Sequence, residues 1–77
     1  MTEAEHKIMQ DAFRLVRDFG EPPAGQLTIE GQEWWNKYHT QVVLLCKQYN
    51  DHALMREMVI AVTNYLDRKV RANGKAV

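Results

Sequence analysis

The side chains best suited to chemistry are one cysteine, Cys46, and three histidines, His6, His39 and His52. Cys46 ends the apolar run that begins at Val42, a setting typical of an unreactive core cysteine. No histidine has a histidine or cysteine three or four residues away, the spacing that lets two side chains of one helix share a metal. His39 and Cys46 are seven residues apart, about 10 Å along a helix, which is too far for one zinc ion. We therefore expect no metal, no cofactor and no enzymatic activity.

The elements that would carry these residues are helical. Thr2 and Glu5 have the spacing of a capping box and predict a first helix over about residues 3–19, which Gly20 ends in a left-handed conformation. Its apolar residues follow helical spacing over roughly 160° and indicate a finished amphipathic helix. They are Ile8, Ala12, Leu15 and Phe19, flanked by Met9, Phe13 and Val16.

Two prolines separate this helix from the next. Pro22 and Pro23 cannot continue a helix, and a stiff linker is favoured over a proline-recognition element. Thr28 is then the N-cap of a second helix over about 29–49, and Asn50 the N-cap of a third over about 51–73, with Gly74 just beyond its end. One long helix through residue 50 is the alternative. The sequence of 77 residues thus predicts one all-α domain, 1–77, a three-helix bundle with a Pro-Pro linker.

Ten basic and ten acidic side chains give zero net charge, which argues against a nucleic-acid binder that relies on bulk electrostatics. Seven of the acidic residues lie in 1–33 and seven of the basic ones in 34–77; we expect the two halves to attract each other within the fold. No segment is apolar enough to span a membrane. The acidic N-terminus does not resemble a signal peptide, so a cytoplasmic location is expected.

The central parts of helices 2 and 3 are apolar all round. Consecutive apolar residues run over 42–46 and 58–62, and five in a row cover the circumference of a helix. Val43, Leu44 and Ile60 therefore fall outside the faces that build a core. They predict a second buried surface, either a symmetric homodimer or a docking face for a protein partner.

Trp34 and Trp35 lie at opposite edges of the apolar face of helix 2. Both rings can cover the core, or one can be an exposed anchor, since tryptophan is enriched in binding hot spots. We include them with Val43, Leu44 and Ile60 as candidate interface residues. Neither a small-molecule substrate nor a membrane is expected as partner.

The favoured function is a small non-enzymatic module that occupies the surface of a partner protein, and we expect it to be homodimeric. Phage- or mobile-element-encoded inhibitors of host systems, such as anti-CRISPR proteins, are chains of this general kind. The alternative is a regulator that contacts nucleic acid through its basic C-terminal segment. Its candidate residues are Arg68, Lys69, Arg71 and Lys75, although they do not form one stripe on a helix.

Overall fold

Three helices make up the fold, which confirms the predicted all-α bundle. The computed structural model describes residues 1–23 and 28–75, without the side chains of 73–75. The helices are α1 (Glu3–Phe19), α2 (Ile29–Gln48) and α3 (Ala53–Lys75), and the described residues contain no strand. Of the Pro-Pro linker, residues 21–23 are described, with Pro22 buried; the remainder, 24–27, lies outside the described residues.

Both predicted N-caps of α1 and α2 are confirmed. The Thr2 hydroxyl accepts a hydrogen bond from the Glu5 amide at 3.1 Å, and the Glu5 carboxylate accepts one from the Thr2 amide at 2.7 Å. The hydrogen bond from the Thr2 amide, then the Thr2 side chain and, more weakly, the charge of His52 lower the pKa of the Glu5 carboxyl. Thr28 caps α2 through a bond from the Gly31 amide at 3.0 Å. Short polar side chains at these positions satisfy backbone donors that have no partner inside the helix.

The end of α1 differs from the prediction. Gly20 has φ −73° and ψ −10°, so it continues the right-handed conformation and does not adopt the left-handed one. Glycine is required here because it has no side chain: a Cβ on Gly20 would lie 2.3 Å from the carbonyl oxygen of Val16 and would clash with it. The Gly20 carbonyl accepts a hydrogen bond from Lys69 Nζ at 2.6 Å, which brings a positive charge to the negative end of the helix dipole.

The turn between α2 and α3 also corrects the sequence interpretation. Asn50 and Asp51 have φ values of 53° and 57°, and their amides donate to the carbonyls of Lys47 (3.1 Å) and Cys46 (2.8 Å). This is a Schellman ending of α2, in which Asn50 takes the left-handed position usually held by glycine. The prediction of Asn50 as an N-cap was therefore wrong, and the two helices are separate.

His52 is the residue that caps α3. Its Nδ1 accepts a hydrogen bond from the Leu54 amide at 3.1 Å, and its carbonyl accepts one from the Arg56 amide at 3.1 Å. Helix α3 consequently begins two residues later than predicted. It continues to Lys75 and so passes through Gly74, which was predicted to lie beyond its end.

Helix α3 lies at the centre of the packing. Lys69, near its end, contacts Gly20 at the end of α1, whereas Thr63 contacts Tyr38 in the first half of α2. Helices α1 and α3 are therefore parallel, and α2 runs antiparallel to both. The core consists of one buried stripe from each helix, made by Ile8, Ala12 and Leu15, by Tyr38 and Leu45, and by Met55, Val59, Val62, Leu66 and Val70.

The left-handed backbone at Asn50 predicts how substitutions there affect stability. We expect Asn50→Gly to raise the free energy of unfolding by about 0.5–1 kcal/mol, because glycine adopts positive φ without a steric penalty. Asn50→Ala should lower it by a similar amount. Urea denaturation followed by circular dichroism measures both, and an alanine variant more stable than the glycine variant would contradict the observed turn.

Candidate functional site

Tyr38 ties α2 to α3 beneath the candidate site. Its side chain is fully buried, and its hydroxyl lies 2.7 Å from Thr63 Oγ1. Because Thr63 Oγ1 itself donates to the Val59 carbonyl at 2.7 Å, the Tyr38 hydroxyl is the donor in this pair. Burial raises the pKa of Tyr38, so the hydroxyl keeps its proton. The bond fixes the axial position of α2 relative to α3.

Three aromatic rings enclose Tyr38. Trp34 stacks parallel to it at 5.7 Å between ring centroids, Trp35 meets it edge-on at 5.6 Å, and Phe19 of α1 meets it edge-on at 5.4 Å. Both tryptophans are half-buried and pack against the core. The two rings also meet each other edge-on at 4.8 Å, so they cover the core together beside Tyr38, and neither stands alone as an exposed anchor.

An open groove of about 620 Å³ lies between α2 and α3. Trp35 forms part of its wall, and the tilted ring of His39 lies 6.0 Å from the Trp35 ring. Most of the other groove residues carry amide, hydroxyl or carboxylate groups. The full lining is Gln32, Trp35, Asn36, His39, Thr63, Asn64 and Asp67.

Two of the predicted apolar residues, Val43 and Ile60, lie toward one end of this groove. Val43 follows His39 by one helical turn and Ile60 precedes Asn64 by one turn; because the helices are antiparallel, both steps lead toward the same end. Val43, Leu44 and Ile60 are 50%, 56% and 59% exposed, so they lie outside the monomer core. A shallow depression joins Asn36, His39 and Thr40 to Val43 and Leu44. We call Asn36, His39, Val43, Leu44, Ile60 and Asn64 the α2–α3 face.

This arrangement suits contact with a surface. Within the described residues no three histidine, cysteine or acidic side chains are placed to hold a metal ion. Cys46, which the sequence predicted as a core cysteine, is half-buried and packs against the core. The α2–α3 face has hydrogen-bonding groups beside exposed aliphatic side chains.

Two of the basic residues of α3 have partners within the fold. Lys69 bonds the Gly20 carbonyl and pairs with Glu21 at 3.2 Å, and Arg71 pairs with Asp67 at 3.2 Å. Arg68 is exposed, and the side chain of Lys75 lies outside the described part of the chain. The residues predicted as a possible nucleic-acid contact therefore include two with structural partners.

A further exposed apolar surface was missed by the sequence analysis. Helix α1 was predicted to bury its apolar stripe, but Met9, Phe13 and Val16 are 39%, 69% and 37% exposed. The buried edge of α1 is the one formed by Ile8 and Leu15, because α3 and α2 both approach from that side. The sequence did carry one signal of this exposure. The apolar stripe of α1 is roughly 160° wide, which is wider than the face that a helix buries in a narrow packing seam.

In comparisons with known proteins, no protein family, curated protein or solved structure matches the chain. None of the described helices combines the length and the apolar character needed to cross a membrane. The geometry of the described residues is therefore the basis for proposing a function.

The contacts of Lys69 predict a difference between two neighbouring basic residues. Lys69→Met should lower the free energy of unfolding by about 1 kcal/mol, because it removes a charged donor from the end of α1. Arg68→Met is the matched control and should change it by less than about 0.5 kcal/mol. Urea denaturation at neutral pH measures both, and equal effects would show that the Lys69 bond does not stabilise the fold.

Proposed function

We propose that this protein is a non-enzymatic module that binds a partner protein through the α2–α3 face. The observation that carries the proposal is the exposure of Val43, Leu44 and Ile60, each at least half exposed, beside a groove and a shallow depression that have hydrogen-bonding side chains in their walls. Burial of the apolar groups would favour binding, and the polar groups beside them would lose little on desolvation if the partner supplies hydrogen bonds. An inhibitor role and a cytoplasmic location stay predictions from the sequence.

The partner that fits this face is a protein segment with apolar side chains at one end and hydrogen-bonding groups at the other. The apolar end, with Val43 and Ile60, would take the aliphatic or aromatic anchors that contribute most to binding energy. The polar end, with Asn36, His39 and Asn64, would hold backbone or side-chain amides in register. Trp35 supports this end, because its ring contacts both Tyr38 and His39.

Nucleic acid is the weaker candidate. Lys69 and Arg71 already have acceptors within the fold, whereas affinity for phosphates depends on basic groups that replace counterions. The slope of binding against salt concentration separates the two functions, because phosphate contacts produce a steep one.

A comparative pull-down tests the proposal. Tagged wild-type protein and the variant Ile60→Asp are used to capture partners from cells that produce the protein, with nuclease added. We expect a protein that the wild type retains, and about 2 kcal/mol of lost binding free energy in the variant, the scale of an interface hot spot. Titration of the purified partner provides the affinity.

Ile29→Asp is the matched control, since Ile29 is 79% exposed but lies at the start of α2, away from the apolar end of the groove. Capture should survive this change. Capture that Ile60→Asp and Leu44→Asp leave intact, that occurs only when nuclease is omitted, or that Arg68→Glu abolishes would refute partner binding by the α2–α3 face.

A further inference from the structure

The N-cap of α3 is a side chain that changes charge near neutral pH. His52 Nδ1 accepts the hydrogen bond of the Leu54 amide at 3.1 Å, and the imidazole is half-buried. A ring nitrogen accepts only when it carries no proton, so His52 is neutral here and has its proton on Nε2. The caps of α1 and α2 are the hydroxyls of Thr2 and Thr28, which do not titrate in this range. Of the three described helices, α3 is the one with a titratable cap.

Protonation of His52 removes this cap. Both nitrogens of an imidazolium ring are donors, so Nδ1 can no longer accept from the Leu54 amide. The new positive charge also lies at the positive end of the α3 dipole, where it is unfavourable. Both effects act against the first turn of α3. Because this turn contains the half-buried Leu54 and the fully buried Met55, its loosening disturbs contacts of the core.

One neighbouring charge favours the protonated ring. Glu5 of α1 interacts electrostatically with His52, but its carboxylate is already engaged in the capping box with Thr2. Attraction between partly exposed charges is weak in water, and it is smaller than the combined effect of a lost N-cap and an unfavourable dipole interaction. Among the described residues His52 makes no ion pair. The other titratable groups on the segments that meet here are Lys47 and Tyr49 at the end of α2, Asp51 in the turn, and Arg56 and Glu57 in the first turn of α3.

We propose that His52 is a pH-sensitive cap, which holds the first turn of α3 at neutral pH and releases it on acidification. The capped helix excludes the additional proton, whereas the unfolded chain accepts it. The cap therefore stabilises the fold above the pH range in which histidine titrates, about pH 5 to 8, and no longer does so below that range. The released turn lies one turn before Ile60, so this device is next to the apolar end of the α2–α3 face.

Replacing the cap with a side chain that does not titrate tests this proposal in the complete chain. His52→Asn keeps an accepting oxygen at the N-cap at every pH. Urea denaturation is compared at about pH 7.5 and about pH 5, on either side of the histidine range. Over this interval the unfolding equilibrium constant of the wild type should rise about tenfold more than that of His52→Asn, the combined scale of a cap and a dipole interaction. His39→Asn is the matched control, since His39 is exposed on α2, and it should keep the wild-type pH dependence.

Nuclear magnetic resonance of the wild type provides a second measurement, which does not depend on the folding of a variant. At neutral pH the ring nitrogen shifts of His52 should show a proton on Nε2 and none on Nδ1. On acidification the Leu54 amide resonance should titrate together with the His52 ring. Equal pH dependence of the wild type and His52→Asn, a proton on Nδ1 at neutral pH, or a Leu54 amide that does not follow the ring would each overturn the proposal.

Discussion

The buried face of α3 is the constraint on which the rest of the structure depends. Five apolar residues form it, and α1 and α2 both pack against it, so one helix supplies the shared surface for the whole core. Two packed helices cannot surround a third, and both flanks of α3 therefore stay open. Ile60 is exposed on one flank and Tyr65 on the other. The buried residues of α3 are Met55, Val59, Val62, Leu66 and Val70.

Polar contacts determine how the two outer helices sit on that face. The bond between Tyr38 and Thr63 positions α2 on α3, and Lys69 positions α1 on α3 through the Gly20 carbonyl. The Tyr49 hydroxyl donates to Asp11, which joins α2 to α1 and raises the pKa of Tyr49. Apolar packing alone tolerates sliding of helices, whereas these bonds are lost if a helix shifts by a turn. They therefore decide which apolar residues are left outside the core.

Local signals in the sequence were sufficient to predict the helices, because capping at Thr2 and Thr28 depends on residues within one turn. They could not assign the turn at Asn50, since asparagine suits both an N-cap and a left-handed C′ position. The exposure of Leu44 and Ile60 followed from helical periodicity alone. The exposure of Phe13 did not, because the width of the buried stripe on α1 depends on where α3 packs. That position depends on contacts between residues far apart in the chain, such as Lys69 with Gly20, 49 positions away.

One substitution made at two positions tests the central claim most directly. The claim is that the core ends at the buried face and that the remaining apolar residues are free to bind. Leu66 is fully buried and Leu44 is 56% exposed. Urea denaturation of Leu66→Ala should show a loss of about 2–5 kcal/mol in the free energy of unfolding, and Leu44→Ala a change within about 0.5 kcal/mol. Similar losses for the two variants would contradict the claim, because they would place Leu44 in the core of the monomer.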